Sequence, residues 1–308
     1  MEKMKIQFRR VFLLLAILTP QFVAAQKSVP FSQYMANGLM INPAYAGTGE
    51  ALSLTASNRK QWAGMEGGAS TQTFNGHALL REQGIGFGVS IVNDKIGIHK
   101  DFQGALSASY QVMLSNTTTL SFGMQGVYGN YRADYASIAG NAMPDPKVGA
   151  ASIATNHFNI GAGAYLRSSS FEAGISVPQI WKYDVQVSDT SAFTMQNGNY
   201  LLFSRYKLPL SHHVILEPSL LFRYCPGVPM VADLNTSVTF YEIATIGASY
   251  RTSGSFAAMT RFNLTQQLMI GYAYDLPLAN TRAVAGPSHE LLLSYLFKFS
   301  RHNVVSPR

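Results

Sequence analysis

The strongest constraint on the fold is a two-residue alternation of apolar and polar side chains that recurs through most of the chain. In the clearest segment, residues 102–114, Leu106 and Tyr110 share an apolar face, while Ser107 and Gln111 share a polar one. A period of two belongs to β-strands, because a helix repeats its faces every three to four residues. Segments of about ten residues with this alternation are typical of strands that cross an outer membrane.

The same pattern predicts fourteen strands. They are residues 51–60, 70–80, 84–93, 102–114, 117–132, 157–167, 170–178, 199–208, 213–224, 230–240, 243–251, 255–263, 266–276 and 289–299. The predicted fold class is therefore all-β, an antiparallel transmembrane β-barrel of about 14 strands in residues 51–299. Residues 300–308 would follow it as a periplasmic tail. A secreted β-sandwich is the alternative, because it can share the composition of 13% charged and 12% aromatic residues.

The lengths of the connections separate these two folds. The even-numbered connections are all short, whereas most odd-numbered ones are long, notably 133–156, 179–198 and 277–288. Only 252–254 breaks this rule. Bacterial barrels have short periplasmic turns and longer extracellular loops, whereas a sandwich has no reason to alternate loop length. The pattern predicts a barrel with long loops outside and both ends of the mature chain in the periplasm.

The first 25 residues have the pattern of an export signal. Four basic residues precede a short apolar run, residues 11–18, and Val23-Ala24-Ala25 forms a small-residue cleavage site. The run is too short to span a bilayer as a helix, and no later segment reaches the roughly 18 apolar residues required. We therefore predict a cleaved signal peptide in residues 1–25. An uncleaved membrane anchor is the alternative.

Residues 26–50 do not alternate and form a separate N-terminal segment. Ser28 as an N-cap, with Pro30 in the first turn, predicts a short helix that Asn42-Pro43 would end. Such a helix would plug or underlie the periplasmic mouth of the barrel. A flexible lead-in is the alternative, because so short a helix is unstable unless it is packed.

Helical spacing divides the side chains of this segment into two groups. The positions spaced by four residues, which would pack the helix against the barrel, are Phe31, Met35 and Leu39. The positions left free to dock a partner are Gln33, Tyr34 and Asn37. Partner docking and closure of the lumen are both open readings of the segment.

The chain carries no recognisable catalytic, cofactor-binding or metal-binding pattern. Its seven His residues show no H-x-x-x-H spacing, and the adjacent His289 and Glu290 face opposite sides of a strand. The Gly-rich runs 84–88 and 161–163 lack the context of phosphate loops, so we expect them to allow close packing or leave room in the lumen. The formal charge falls from +7 to +4 without residues 1–25, and no basic cluster indicates nucleic acid.

Eight stretches spread over nearly all of the mature chain carry a family resemblance. They are FSQYMANGLMINPAYAG (31–47), RKQWAGMEG (59–67), SIVNDKIGIHKDF (90–102), GNYRAD (129–134), ISVPQIW (175–181), ASYRTSGSFAAM (248–259), IGYAYDLPL (270–278) and SHELLLSYLF (288–297). In this order they resemble the PorP/SprF family of type IX secretion membrane proteins. One departure is Asn37-Gly38, where the family opening is expected to have Asn-Pro.

The resemblance implies an outer-membrane barrel of the type IX machinery in a Bacteroidetes-type bacterium. Such proteins serve the secretion of surface adhesins and, in gliding relatives, of motility proteins. The partners it implies are periplasmic ring or anchoring components, or the C-terminal domains of secreted cargo, in addition to outer-membrane lipid.

The lumen of such a barrel bears on its function. About 14 strands enclose a narrower space than the aqueous channel of 16–18-stranded porins, so folded cargo would not fit and a docking or anchoring role is favoured. A passive porin for small solutes is the alternative. The inward positions Gln103, Ser107 and Gly86 are uncharged, which gives no selectivity filter. A barrel enzyme is a third, minor reading, and no residue set supports it.

Overall fold

The structure, a computed structural model, describes residues 31–49, 52–80, 84–135, 152–188, 191–195, 198–278 and 286–297. The expected signal peptide (residues 1–25), the expected helix start at Ser28 and Pro30, and the expected tail (residues 300–308) lie outside these ranges.

The described chain is almost entirely β-structure. The strands are β1 (Leu52–Lys60), β2 (Ser70–Leu80), β3 (Ile85–Ile96), β4 (His99–Ser115), β5 (Thr118–Asp134), β6 (Ser152–Arg167), β7 (Phe171–Val177), β8 (Tyr183–Ser188), β9 (Ser191–Met195), β10 (Tyr200–Tyr206), β11 (Leu208–Ser211), β12 (Val214–Cys225), β13 (Val228–Phe240), β14 (Ala244–Arg251), β15 (Ser255–Asn263), β16 (Leu268–Pro277) and β17 (Ser288–Phe297). Within the described ranges, no helix is long and apolar enough to cross a bilayer.

Fourteen of these strands close into one antiparallel barrel. β1 pairs with β17 from Leu52↔Phe297 to Lys60↔His289, and β10 pairs with β12, so the sheet has no free ends. β11 continues β10 along β12 in the same register, with a bulge between Pro209 and Ser211. β8 and β9 form a separate hairpin in the connection from β7 to β10. The prediction of an all-β antiparallel barrel of about 14 strands is confirmed.

The two ends of the barrel carry different connections. One end, the short-turn end, carries the turns at 116–117, 168–170 and 264–267, and the other, the long-loop end, carries connections such as 61–69 and 178–199. The expected alternation of loop length is weaker than predicted. The turns at 97–98 and 226–227 lie at the long-loop end but are short. The hydrogen-bonded pairing of β3 with β4, and of β12 with β13, continues further along the chain than the apolar alternation does.

The two faces of the wall follow the predicted alternation. On β4, Leu106 is 70% exposed on the outside, while Ser107 is 4% exposed and faces the lumen, the space that the fourteen strands enclose. On β3, Phe87 and Val89 point outward, whereas Gly88 faces inward against the N-terminal residues. Large apolar groups thus form the lipid-facing surface, since a membrane barrel reverses the polarity of a soluble protein.

Candidate functional site

The N-terminal segment, residues 31–49, lies inside the barrel. In place of the single helix predicted, it forms three 3₁₀ turns, Tyr34–Ala36, Gly38–Met40 and Pro43–Tyr45. Asn37 precedes the second turn and Asn42 precedes the third. Asn favours such turn positions, and Pro43 cannot donate the backbone hydrogen bond that a continuous helix would need. The Asn42 side chain caps the last turn by accepting a hydrogen bond from the Ala44 amide at 2.9 Å.

Both predicted groups of side chains in this segment are covered. Met35 and Leu39 are buried and Phe31 is half-buried. The side chains expected to be free are also buried, which corrects that prediction: the exposed fractions are 0% for Gln33, 1% for Tyr34 and 7% for Asn37. The prediction assumed a helix with one wall beside it. A segment inside a barrel is surrounded, so it has no free face.

The first end of the segment is held by a buried ionic cluster. The Ser32 amide donates to Glu290 at 2.8 Å, and its hydroxyl donates to Asp275 at 2.7 Å. Arg59 donates to Glu290 at 3.1 Å and also pairs with Asp275. We call Ser32, Arg59, Asp275 and Glu290 the Arg59 cluster. Its two carboxylates are compensated by one guanidinium together with backbone amides, including that of Gln33, which donates to Glu290 at 3.1 Å.

The position of the Arg59 cluster corrects a second expectation. Arg59 is the next-to-last residue of β1 and Glu290 is the third of β17, so Ser32 lies near the long-loop end. Thr48, near the other end of the segment, accepts a hydrogen bond from Arg167, the last residue of β6 before a short turn. The segment therefore runs through the lumen and does not stay at one mouth.

The middle of the segment packs on an apolar patch of the lumen. Tyr34 meets the ring of Phe203 edge to face, with 6.0 Å between centroids. Met35 belongs to the same buried cluster as Tyr165 and Met259, and Phe31 packs against it. These contacts come from β6, β10 and β15, which lie on different sides of the barrel. The segment thus bridges the walls.

The second end of the segment rests on glycines. A Cβ on Gly123 would meet the backbone of Ala44, one on Gly163 would meet the Asn42 side chain, and one on Gly86 would meet the Ala46 carbonyl. The lumen wall must lack side chains there for the segment to fit. We call these three glycines the glycine seat. Gly86 and Gly163 lie in the runs that were expected to allow close packing or leave room in the lumen, and here they allow close packing.

Hydrogen bonds between the segment and the barrel wall also hold this second end. The Asn42 amide donates to the Ala164 carbonyl at 2.9 Å. Ser109 donates to the Ala46 carbonyl at 2.7 Å, and Ser176 donates to the Ile41 carbonyl at 2.5 Å. The carbonyls that 3₁₀ turns leave unpaired are thus satisfied by the barrel.

The lumen is charged on one side, which corrects the expectation of uncharged inward positions. Asp233 pairs with Arg223 at 2.7 Å and with Arg251 at 2.6 Å. Glu172 pairs with Arg205 at 2.5 Å. The expectation rested on Gly86, Gln103 and Ser107 of β3 and β4, which are uncharged. The ion pairs lie on β7, β10 and β12–β14, and in the Arg59 cluster on β1, β16 and β17.

A second element enters the lumen from the long-loop end. After β7 the chain turns inward, and Gln125 donates to the Pro178 carbonyl at 2.8 Å. Asn159 accepts from the amides of Ile180 and Trp181, both at 2.9 Å, and donates to the Trp181 carbonyl at 2.8 Å. Asn159 was not singled out from the sequence, because an inward Asn in a strand gives no sign of a loop partner.

His77 and His289, two of the seven histidines, make contacts within the fold. Over the described residues, no group of three His, Cys, Asp or Glu side chains could hold a metal ion. His77 accepts a hydrogen bond from the Gly47 amide at 3.3 Å, which holds the segment. His289 contacts the Tyr272 hydroxyl at 2.7 Å on the outer surface, opposite its buried neighbour Glu290.

Comparison with known proteins gives a family. The sequence profile described as "Type IX secretion system membrane protein PorP/SprF" matches residues 23–295, nearly the whole chain. The chain belongs to the PorP/SprF family. The family and the barrel together assign it to the outer membrane as a type IX secretion component. A comparison with curated proteins gave no match.

Solved structures share the fold of this PorP/SprF chain at low identity. The CymD monoaromatic hydrocarbon channel is 12% identical, with a TM-score of 0.52 over 87% of this chain and 94% of that one. The TodX deltaS2S3 mutant monoaromatic hydrocarbon channel is 12% identical, with a TM-score of 0.51 over 85% and 94%. These similarities concern the fold alone.

The stretches that resemble the PorP/SprF family meet in the Arg59 cluster. Its members come from four of them: Ser32 from residues 31–47, Arg59 from 59–67, Asp275 from 270–278 and Glu290 from 288–297. None of these four stretches contains a catalytic or ligand-binding motif by itself. Their common place in the fold is the anchoring of the N-terminal segment.

Proposed function

We propose that this chain is a docking component of the type IX machinery whose lumen is closed by its own N-terminal segment. The observation that supports this most is the fixing of residues 31–49 at both ends, by the Arg59 cluster and by the glycine seat. A 14-stranded barrel is too narrow for folded cargo even when it is empty. The surfaces of the barrel are then what a partner contacts.

The proposed orientation places the short-turn end in the periplasm and the long loops outside the cell. It is supported by the long connections at one end, as in bacterial barrels generally. Epitope tags within 133–156 or 179–198 should be accessible on intact cells, whereas tags beside Ser115 or Ser168 should require permeabilisation. The reverse pattern would invert the orientation and move the docking face to the outside.

We further propose that residues 1–25 are removed, so that the mature chain begins at Gln26. Ser32 lies near the long-loop end, and this position does not support the expected periplasmic amino terminus. The C-terminal end of β17, Phe297, would face the periplasm. N-terminal sequencing of the purified protein checks the cleavage site, and a mature chain beginning elsewhere would contradict it.

The proposed partners are periplasmic ring or anchoring components, or the C-terminal domains of secreted adhesins. Affinity capture of the tagged barrel from detergent-solubilised outer membrane should recover such proteins. An unrelated outer-membrane barrel carrying the same tag is the control. Recovery of the same set with the control, or of no secretion component, would contradict docking.

The role of the N-terminal segment can be separated from that of the barrel by deleting residues 31–40. The deletion removes Ser32 and the apolar contacts of Met35 but leaves the wall intact. If the segment closes the lumen and also presents the docking surface, the deleted barrel should assemble, pass small antibiotics and lose adhesin secretion. If the deleted barrel secretes adhesins normally but admits antibiotics, the segment only closes the lumen and does not present the docking surface.

We also propose that Gln33, Tyr34 and Asn37 contact a partner directly. Because all three side chains are buried, this contact requires a movement of the segment. A partner can reach them only if the segment leaves the lumen. The Gln33 side-chain amide makes no hydrogen bond within the described residues, although its backbone amide donates to Glu290. Asn37→Cys in a Cys225→Ser background should label with a membrane-impermeant maleimide only when the machinery is present, if withdrawal occurs.

A second candidate is a channel for small solutes. It is supported by the charged pairs on one side of the lumen and by the hydrocarbon channels that share the fold. It also requires the segment to move. Solute uptake by liposomes containing the intact protein would favour it, whereas uptake only after deletion of residues 31–40 would favour the closed barrel.

A further inference from the structure

A cavity lies at the short-turn end, between the second end of the N-terminal segment and the barrel wall. Its volume is about 270 Å³, and its lining includes Thr48, Arg167, Glu172, Arg205, Lys207 and Leu296. The side chains come from β6, β7, β10 and β17, so the cavity reaches across the mouth. None of its residues belongs to the Arg59 cluster or to the glycine seat.

The charges of this cavity do not balance. Glu172 is occupied by Arg205, which donates to one carboxylate oxygen at 2.5 and 3.1 Å, while Tyr165 donates to the same oxygen at 2.7 Å. This buried pair is internally neutral. Among the residues that the structure describes, two further cations, Arg167 and Lys207, have no carboxylate apart from Glu172.

The two remaining cations keep unused donor capacity. Lys207 lies 3.4 Å from the other Glu172 oxygen, longer than the usual 2.7–2.9 Å of a charge-assisted hydrogen bond. Its side chain is 37% exposed. Arg167 is held through one nitrogen by the Thr48 carbonyl, although a guanidinium has five donor hydrogens. Both groups line the open space, and an oxyanion entering it would meet them.

We propose that this cavity binds a carboxylate carried by an acidic peptide segment of a protein partner. A volume of about 270 Å³ admits a side chain or a chain end and excludes a folded domain. The lining is more polar than apolar, which disfavours the acyl chain of a lipid. The inference rests on the proposed function, which puts a protein partner at the short-turn end.

The test is a binding titration on the full-length protein in detergent micelles. The probe is a fluorescein-labelled hexaglutamate peptide followed by anisotropy, with labelled hexaglutamine as the uncharged control. The wild type should bind hexaglutamate only, and more weakly as salt rises. Lys207→Gln should weaken binding about five- to tenfold, because it removes one charge-assisted contact. Lys207→Arg should retain most of the affinity.

Matched controls separate the cavity from general charge. Lys95→Gln makes the same charge change on an exposed residue of β3 near the long-loop end, and it should leave binding unchanged. Heat-modifiability on gels confirms that each variant is folded. Equal binding by the wild type and Lys207→Gln would overturn the cavity. Displacement of the peptide by inorganic phosphate at the same concentration would overturn the peptide assignment in favour of a free anion.

The outcomes stay distinct from those of the proposed function. If Lys207→Gln binds the peptide normally while affinity capture still recovers secretion components, only the cavity assignment fails. If capture from wild-type membranes recovers none, the docking function fails whatever the titration shows.

Discussion

The two ends of the N-terminal segment are held by opposite kinds of interaction. At Ser32 the contacts are ionic and reach across strands from both ends of the sequence. At Asn42 to Ala46 the backbone lies against the glycine seat and is held by neutral hydrogen bonds. The first end depends on charges that must all be present. The second depends on shape.

This difference predicts which end can be released. A buried ion cluster is stable only while each charge keeps its partner, because an uncompensated buried charge is costly. Close packing of Asn42 to Ala46 against glycine has no such switch, since it depends on shape and not on charge. If the segment ever leaves the lumen, we expect the Ser32 end to leave first, with the glycine seat as the fixed end.

The largest effect is expected from Arg59→Ala. It leaves Asp275 and Glu290 buried without their cation, and loss of one partner from a buried pair costs about 3–5 kcal/mol. Unfolding in urea, followed by tryptophan fluorescence, should show this loss. Lys60→Ala, the exposed neighbour on the same strand, should change little.

Release of the segment would give Arg59→Ala a second signature. A cysteine at Asn37, in a Cys225→Ser background, should become reactive towards maleimide when the Ser32 end detaches, because Asn37 is buried in the intact protein. Native Cys225 is itself buried and must be replaced to keep the assay specific. Unchanged stability together with an unreactive cysteine would show that the Arg59 cluster does not hold the segment.

A smaller effect is expected from Gly123→Ala in the glycine seat. The added Cβ would overlap the Ala44 backbone, which has no flexible end to move aside. Overpacking of this kind costs about 1–3 kcal/mol. Gly126→Ala is the matched control on the same strand, because a Cβ there meets nothing within 4 Å. Equal unfolding free energies for the two variants would contradict close contact at the seat.

The strands were predictable because lipid and lumen impose alternation residue by residue. Leu106 and Ser107 were placed on the correct faces from their neighbours alone. Strand ends were less predictable: β3 continues to Ile96 and β13 begins at Val228, because backbone pairing does not require apolar side chains. This extension shortened two connections that had been expected to be long.

The N-terminal segment was less predictable because its environment comes from the whole barrel. Local spacing indicated a helix with one packed face, but a lumen covers every face and accommodates three turns. The Arg59 cluster joins residues more than 200 positions apart in sequence. One signal was present: closure of a barrel pairs the first strand with the last, which brings Arg59 opposite Glu290.

The smallest effect is expected from Ser109→Ala, which tests whether the second end is held by shape or by polar contacts. Its hydroxyl donates to the Ala46 carbonyl at 2.7 Å, and a neutral hydrogen bond contributes about 0.5–1.5 kcal/mol. Because Gly86 and Gly123 would still accommodate the backbone, the segment should stay in place. The cysteine at Asn37 should therefore remain unreactive, unlike in Arg59→Ala. Ser107→Ala, whose hydroxyl makes only a 3.4 Å contact to Gln125, is the control on the same strand. A reactive cysteine in Ser109→Ala would show that hydrogen bonds, and not packing on glycine, fix this end.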